Sequence, residues 1–182
     1  MRNYQRESQF VEWMRLVAER IDDVKEGEVE TKFIIPLFEN LGYPVGCRAD
    51  KYYVRGPEKY SDTVNPSEKA VSKNYADFVY FSTDQQNQQS PETALIVVEA
   101  KRSSERNLDK HLPQARKYGN LLLPLFLFVT NGKKIKVLMR HQFTEEEVLF
   151  DHELTEFKSA DLCREFYLKL NFETTCRIKR KF

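Results

Sequence analysis

The sequence predicts an α/β layered domain, a mixed central β-sheet flanked by helices. Two observations carry that expectation. The element order is two amphipathic helical stretches, then strands, then a helix, then more strands. The apolar runs among them are short and β-branched, above all Thr93–Arg102 (TALIVVEAKR), where five apolar residues, Ala94 to Val98, run straight into Glu99, Ala100 and Lys101. A run of that length, bounded by Pro91 and by Ser103-Ser104, reads as a strand buried on both faces.

The elements follow in order. Residues 6–24 carry Phe10, Met14, Val17, Ile21 and Val24 at helical spacing, and Gly27 interrupts. A second helix spans residues 28–41, with Val29, Phe33, Ile34, Leu37, Phe38 and Leu41 as its apolar side. Pro36 inside it predicts a kink or boundary, and Gly42 ends it. Residues 45–54 read as a first strand and residues 55–74 as a long loop. YADFVYF, Tyr75 to Phe81, is the next strand, and the polar run at 84–90 (DQQNQQS) is a hairpin end before TALIVVEAKR. Residues 108–120 read as a helix containing Pro113 and ending near Gly119. Residues 121–130 (LLLPLFLFVT) read as a strand. Asn131-Gly132 signals a two-residue hairpin into a strand at 134–139. Residues 146–154 read as an edge strand, residues 159–170 as a helix, and RIKRKF as a basic tail.

Composition narrows the function classes. A chain of 182 residues with 41% hydrophobic content suits one domain with a substantial core. The formal net charge of +1 excludes a uniformly basic nucleic-acid binder, so any such footprint must be local. Cys47, Cys163 and Cys176 lie far apart with no CxxC, which indicates neither a disulfide framework nor a zinc site and fits a cytoplasmic location. His111, His141 and His152 show no zinc-hydrolase spacing. The N-terminus has no apolar signal-peptide core, and no apolar run approaches the roughly 20 residues that span a bilayer.

Charges closing a buried strand need a physical reason, because burying charge is costly unless it is paired or coordinates a metal. Residues two apart on a strand share a side, so Glu99 and Lys101 emerge together and Ala100 points away. Acidic-x-Lys occurs four times: Asp23-Val24-Lys25, Glu30-Thr31-Lys32, Glu99-Ala100-Lys101 and Glu156-Phe157-Lys158. Only the third closes a buried strand. Asp77, flanked by Ala76 and Phe78, is equally out of place in an apolar strand. Set beside Glu99 on a paired strand it would repel that carboxylate, and a divalent cation relieves such repulsion. Few oxygen-only ligands suit Mg²⁺, with Mn²⁺ as a substitute. Lys101 would then orient or deprotonate the attacking water and offset charge on a pentavalent phosphate. Glu30 shares a stripe with Ile34, Leu37 and Leu41 and so points inward as a further, water-mediated ligand; Glu26 lies one turn earlier as the alternative. Gln114 and Tyr118 are i and i+4 on one face of the following helix, with Lys110 and Lys117 nearby.

Together these residues resemble the PD-(D/E)xK nuclease superfamily, and most closely the N-terminal nuclease domain of the restriction subunit of type I restriction enzymes. The likeness rests on TKFIIPLFENLGYP (31–44), ADFVYF (76–81), LIVVEAKRSSE (95–105), QARKY (114–118) and LFLFVTNGKKIKVL (125–138). It implies a restriction-endonuclease-like core, Mg²⁺ dependence and hydrolysis of duplex DNA. By that likeness Asp77, Glu99, Glu30 and the backbone carbonyl of Ala100 hold the metal. Lys101 is catalytic, and Gln114 and Tyr118 position DNA or the lysine; Arg102 and Lys110 nearby are further candidate DNA contacts from the sequence itself. The family's proline is Ala76 here. The whole of 1–182 reads as a single nuclease-like domain: a helix at 1–25, a catalytic core at 26–140, and a strand/helix extension with a basic tail at 141–182.

The restriction subunits of type I systems also carry an ATP-driven motor, whereas this chain has no GxxxxGK[ST]. The partners implied are double-stranded DNA, the motor, methyltransferase or specificity subunits of a restriction system, and a second copy of the chain in a homo-oligomer, with no membrane. Candidate phosphate contacts are Lys51, Arg55, Lys59, Lys69, Lys73, Arg102, Arg106, Lys110, Lys117 and the tail Arg177–Lys181. The rival from another class is a catalytically silent DNA-binding or assembly module on the same fold.

Overall fold

The computed structural model describes residues 2–20, 26–54, 75–141 and 145–181. Helix α1 spans Arg2–Arg20 and buries Phe10 and Met14 of the expected apolar stripe, with Val17 partly buried and Ala18 buried beside it. Helix α2 is a continuous run in three parts: Glu26–Val29, a π-helical turn Glu30–Ile34, and Ile35–Asn40. Within the turn the Ile35 N–H donates to the Glu30 carbonyl, one residue further back than in an α-helix. Pro36 sits just past it, at the start of the resumed α-helix, where its missing N–H falls at a change of bonding pattern. Gly42, at φ +86°, ends the run as its sequence position predicts.

Six strands form one sheet in chain order: β1 Arg48–Tyr53, β2 Tyr75–Phe81, β3 Ala94–Ala100, β4 Phe126–Thr130, β5 Lys134–His141 and β6 Glu145–Glu153. Only β3 and β4 pair in parallel; the other neighbours are antiparallel. A parallel pair needs a crossover, here α3, Leu112–Leu122, entered through a 3₁₀ turn at Leu108–His111. Helices α4, Ala160–Leu170, and α5, Phe172–Lys179, close the chain, capped by the Ser159 and Asn171 side chains.

The sheet separates two cores, because alternate residues of each strand face opposite ways. Phe78, Tyr80, Ile96, Val98, Phe126 and Phe128 pack with α1, α2 and α4. Val79, Phe81, Val97, Leu127 and Val129 pack with Leu112, Ala115, Tyr118 and Leu122 of α3. β3 is buried along its whole length, and β2 is buried beyond Tyr75. The architecture is α+β with a mixed open sheet, as predicted.

Several boundaries differ. The first strand begins at Arg48, because Val45–Cys47 forms a 3₁₀ turn after Pro44. Helix α3 does not stop at Gly119. It runs to Leu122 and is closed by Leu123 in the left-handed region, at φ 47°. Gly119 is there for closeness: a Cβ on it would lie 2.8 Å from both Leu127 and Arg140. The β4 strand therefore starts at Phe126 rather than 121, since Leu121 and Leu122 bury as helix. The β4–β5 connection has three residues, not two. Asn131 Oδ1 accepts from the N–H groups of Lys133 and Lys134, and Gly132 takes φ +82°. Helix α5, Phe172–Lys179, runs into the start of the basic tail, and sequence periodicity did not reveal it. The segment 55–74, read as a loop, lies outside the described residues, as do Ile21 and Val24.

Candidate active site

The site lies at the carboxyl end of β3, where the parallel pair with β4 ends. The antiparallel register Phe78↔Val98, carried one step on, sets Asp77 opposite Glu99. Both follow the alternation that turns Val79 and Val97 toward α3, so the two acids stand on one face of the sheet. Cβ atoms of directly opposed residues lie about 5 Å apart. Both carboxylates are held in place. The buried N–H of Ala100 donates to Asp77 Oδ2 at 2.8 Å, and Lys101 Nζ donates to Glu99 Oε1 at 2.5 Å. The Glu99 side chain is only 1% exposed. An ion pair so deeply placed is held by geometry, because unpaired charge there would cost several kcal/mol, on the order of 3–5.

Lys101 is fixed from behind by the neighbouring strand. Its backbone N–H donates to the Thr130 carbonyl at 2.8 Å. Asn131 Nδ2 donates to the Glu105 carbonyl at 2.7 Å, tying down the loop that carries Arg102. These supports were missed in the sequence, where Thr130 reads as a strand end and Asn131-Gly132 only as turn chemistry.

Glu30 reaches the site from the π-helical turn. Lys51 Nζ of β1 donates to Glu30 Oε1 and to Asp77 Oδ1, each at 2.6 Å. The β1–β2 register, Asp50↔Phe78 and Tyr52↔Ala76, places Lys51 opposite Asp77. Lys51, Asp77 and Glu99 thus form one row across three strands. The Lys51 backbone has φ 47°, a left-handed conformation that costs a non-glycine residue about 1–2 kcal/mol. Burial pushes the Lys51 ammonium toward neutrality, but the Asp77 and Glu30 carboxylates outweigh that and raise its pKa.

Gln114 and Tyr118 face the same end of the sheet from α3. Gln114 Nε2 donates to the Tyr118 hydroxyl at 3.2 Å. Burial raises the Tyr118 pKa. The Gln114 hydrogen bond opposes that, while the Glu99 and Asp77 charges add to it and that of Lys101 subtracts, which places all three within electrostatic reach. Arg102 is exposed, one residue beyond Lys101, and Lys110 is exposed with its nearest acid, Glu105, 4.0 Å away. Neither is bonded to the central acids among the described contacts.

The basic tail goes elsewhere. Lys179 Nζ donates to the carbonyls of Pro91 and Leu123, at the opposite end of β3 and α3. A seven-residue strand separates it from Glu99, roughly 20 Å at about 3.3 Å per residue. The tail therefore does not line this site, contrary to its inclusion among the phosphate contacts. Arg55, Lys59, Lys69 and Lys73, and the Glu26 side chain, lie outside what is described.

Could these residues hold a divalent cation? Among the described residues, no three His, Cys, Asp or Glu side chains form a ready-made metal cage. Mg²⁺ does not require one. It binds through one or two carboxylates and retains several waters. Glu30 and Asp77 already converge on a single cationic nitrogen, and all donors are oxygens, so the residues fit a hard cation. A surface groove of about 450 Å³ lies along α1, lined by Val11, Arg15, Leu16 and Arg164, and contains none of these residues.

No helix among the described residues is long and apolar enough to cross a membrane. No family model matches the sequence, and no curated protein matches it. Among solved structures, a fragment assigned to the HsdR subunit of a type I restriction enzyme from Vibrio vulnificus YJ016 is similar over 80% of this chain, at 20% identity and a TM-score of 0.48. That likeness covers 26% of the other chain, so this chain spans about a quarter of its length.

Proposed function

We propose that this chain is a Mg²⁺-dependent DNA endonuclease of the restriction type. One observation supports the reading most: Asp77 and Glu99, buried acids on adjacent strands, share a register position and a face, with Lys101 bonded to Glu99 and Glu30 bridged to Asp77. Structural pairing accounts for each acid separately, Glu99 with Lys101 and Asp77 with Lys51 and the Ala100 N–H, but gives no reason for three carboxylates to gather at one strand end.

Asp77 and Glu99, with Glu30 and the Ala100 carbonyl, would hold the ion. When bound, it supplies Lewis-acid stabilisation of phosphoryl oxygens. The remaining work falls to the chain. Water adds to phosphorus as the bond from phosphorus to the leaving sugar oxygen breaks. Lys101 Nζ, as the ammonium paired with Glu99, would orient that water and stabilise the added negative charge, or, after releasing its own proton to solvent, would accept that of the water. The backbone bond to the Thr130 carbonyl fixes this residue just past β3, and the Glu99 carboxylate holds its Nζ. Gln114 and Tyr118 restrict the side of the site facing α3, and Arg102 and Lys110 supply exposed charge for flanking phosphates. The motor, methyltransferase and specificity functions of a restriction system belong to other polypeptide segments in this reading.

Supercoiled plasmid incubated with the protein and Mg²⁺ or Mn²⁺ tests it. Nicking or linearisation is expected, and EDTA or Lys101→Met should remove it. Equal cutting by wild type and Lys101→Met would overturn the assignment of this site. DNA binding without cutting at any divalent-ion concentration would favour the silent assembly module.

A further inference from the structure

We infer that the Lys51 ammonium is the exchangeable counter-cation of this site: it competes with the divalent ion for the same Glu30 and Asp77 oxygens, and metal loading releases it. The inference rests on the metal-dependent reading above and adds how that site is kept ready.

The geometry carries it. Two carboxylates from different elements, the π-helical turn of α2 and strand β2, converge on one nitrogen from a third, β1, each at 2.6 Å. An ordinary surface lysine makes one such contact on a mobile stem. Here the nitrogen sits where the carboxylate pair would otherwise repel itself, the position a divalent ion also relieves. A second observation is independent of the side chain. Lys51 holds a left-handed backbone inside a strand, a conformation that persists only when surrounding structure enforces it and that gathers at functional sites. A third is the pattern of exposure. Glu30 and Asp77 are mostly buried, whereas the Lys51 side chain is 55% exposed. The acids are fixed and the cation has an open path to solvent. Lysine suits this role better than arginine. Its ammonium is a compact point charge on a flexible stem, and it does not lock a carboxylate bidentately.

Two consequences follow. Each acid of the metal-free site has an ammonium partner, so the acids stay in place without an ion. Once displaced, the ammonium is a free positive charge beside the site, suited to an oxygen of a substrate phosphate. Metal binding and polyanion binding would then reinforce one another, because the polyanion holds Lys51 away from the acids.

Calorimetric titration of Mg²⁺ and of Mn²⁺ into the whole chain, without DNA, tests this. Lys51→Met should bind both ions at least tenfold more tightly than wild type. Lys51→Arg, with its bidentate grip, should bind at least threefold more weakly. Lys32→Met removes one positive charge from the same helical region, where Lys32 pairs with Glu28, and should stay within twofold of wild type. That control separates direct competition from a general change of charge. Unchanged or weaker affinity in Lys51→Met, or an equal gain in Lys32→Met, overturns the inference. Asp77→Asn separates the two readings. If it loses metal binding while Lys51→Met matches wild type, only the role of Lys51 fails; if it binds like wild type, the metal site itself fails. Should Lys51→Met not fold, the wild-type protein still decides. The ¹⁵N ammonium resonance lost in Lys51→Arg should move to the exposed-lysine position on saturation with Mg²⁺, and its persistence unchanged would overturn the inference.

Discussion

Asp77 has two separable duties, and two substitutions distinguish them. Its Oδ2 accepts the N–H of Ala100, a residue with no exposed surface, at 2.8 Å. Its Oδ1 accepts from the half-exposed Lys51. Asp77→Ala removes both and leaves a buried N–H without that acceptor, at a cost of about 1–3 kcal/mol. The exposed Lys51 pair adds no more than about 1 kcal/mol. A total near 3 kcal/mol corresponds to a fall of roughly 6–12 °C in Tm for a chain of this length. Asp77→Asn keeps an amide oxygen for Ala100 and gives up mainly the charge, so about 1 kcal/mol and 2–4 °C are expected. Thermal unfolding followed by circular dichroism in EDTA should order the three proteins as wild type, Asn, Ala. Plasmid cleavage should not follow that order: both variants should be inactive. Equal melting of the two variants would show that the Ala100 bond is not what Asp77 contributes to stability. Cleavage by Asp77→Asn at the wild-type rate would remove Asp77 from the chemistry.

Lys101→Met should lower plasmid cleavage by about 10²–10⁴-fold, the usual contribution of a positioned proton-transfer group, as measured by initial nicking rates. It should also lower Tm, because the partner carboxylate on Glu99 stays buried. Alkaline stability has a defined sign. Burial raises the Tyr43 pKa above its ordinary 10.0, outweighing the opposing hydrogen bond with Thr175. The unfolded chain therefore loses that proton first, so stability is intact below pH 10.0 and falls as pH rises toward the folded-state value. Tyr43→Phe should flatten that fall by up to about 1.4 kcal/mol per pH unit, read from denaturant midpoints above pH 10.0. Gly132→Ala should cost about 1–2 kcal/mol in Tm measurements, since φ +82° disfavours a Cβ that would also lie 3.2 Å from Val29.

The fold was legible where periodicity and turn chemistry agreed. Strands β2 and β6, helix α4 and the Gly42 stop stand at or within a residue of their sequence positions. Legibility failed where one signal carries two meanings. Gly119 reads as a helix stop because glycine often ends helices, yet here the absent side chain admits Leu127 and Arg140. LLLPLFLF is apolar throughout, so nothing in the pattern marks the passage from helix α3 to strand β4. Helix α5 is short and its buried surface rests partly on Thr175, whose hydroxyl meets Tyr43, and a threonine is not an apolar stripe.

The site shows the same division. Alternation along β3 is a local rule, and it sets Glu99 and Lys101 on one side from sequence alone. The position of Asp77 opposite Glu99 needed only the hairpin register between two recognisable strands. Lys51 required more. The sequence offers it only as one of several candidate phosphate contacts, because its pairing with the acids comes from a left-handed backbone in β1 and from a π-helical turn that delivers Glu30. Neither conformation has a residue signature here: the strand position is not glycine, and the turn reads ETKFI. Both are deviations from regular geometry, and both meet at Lys51 Nζ. Two local departures from regular structure that converge on one atom are difficult to attribute to folding alone, since each costs stability and a regular alternative exists for each. They are consistent with a site arranged around a cation, whether the protein's own or one taken from solution.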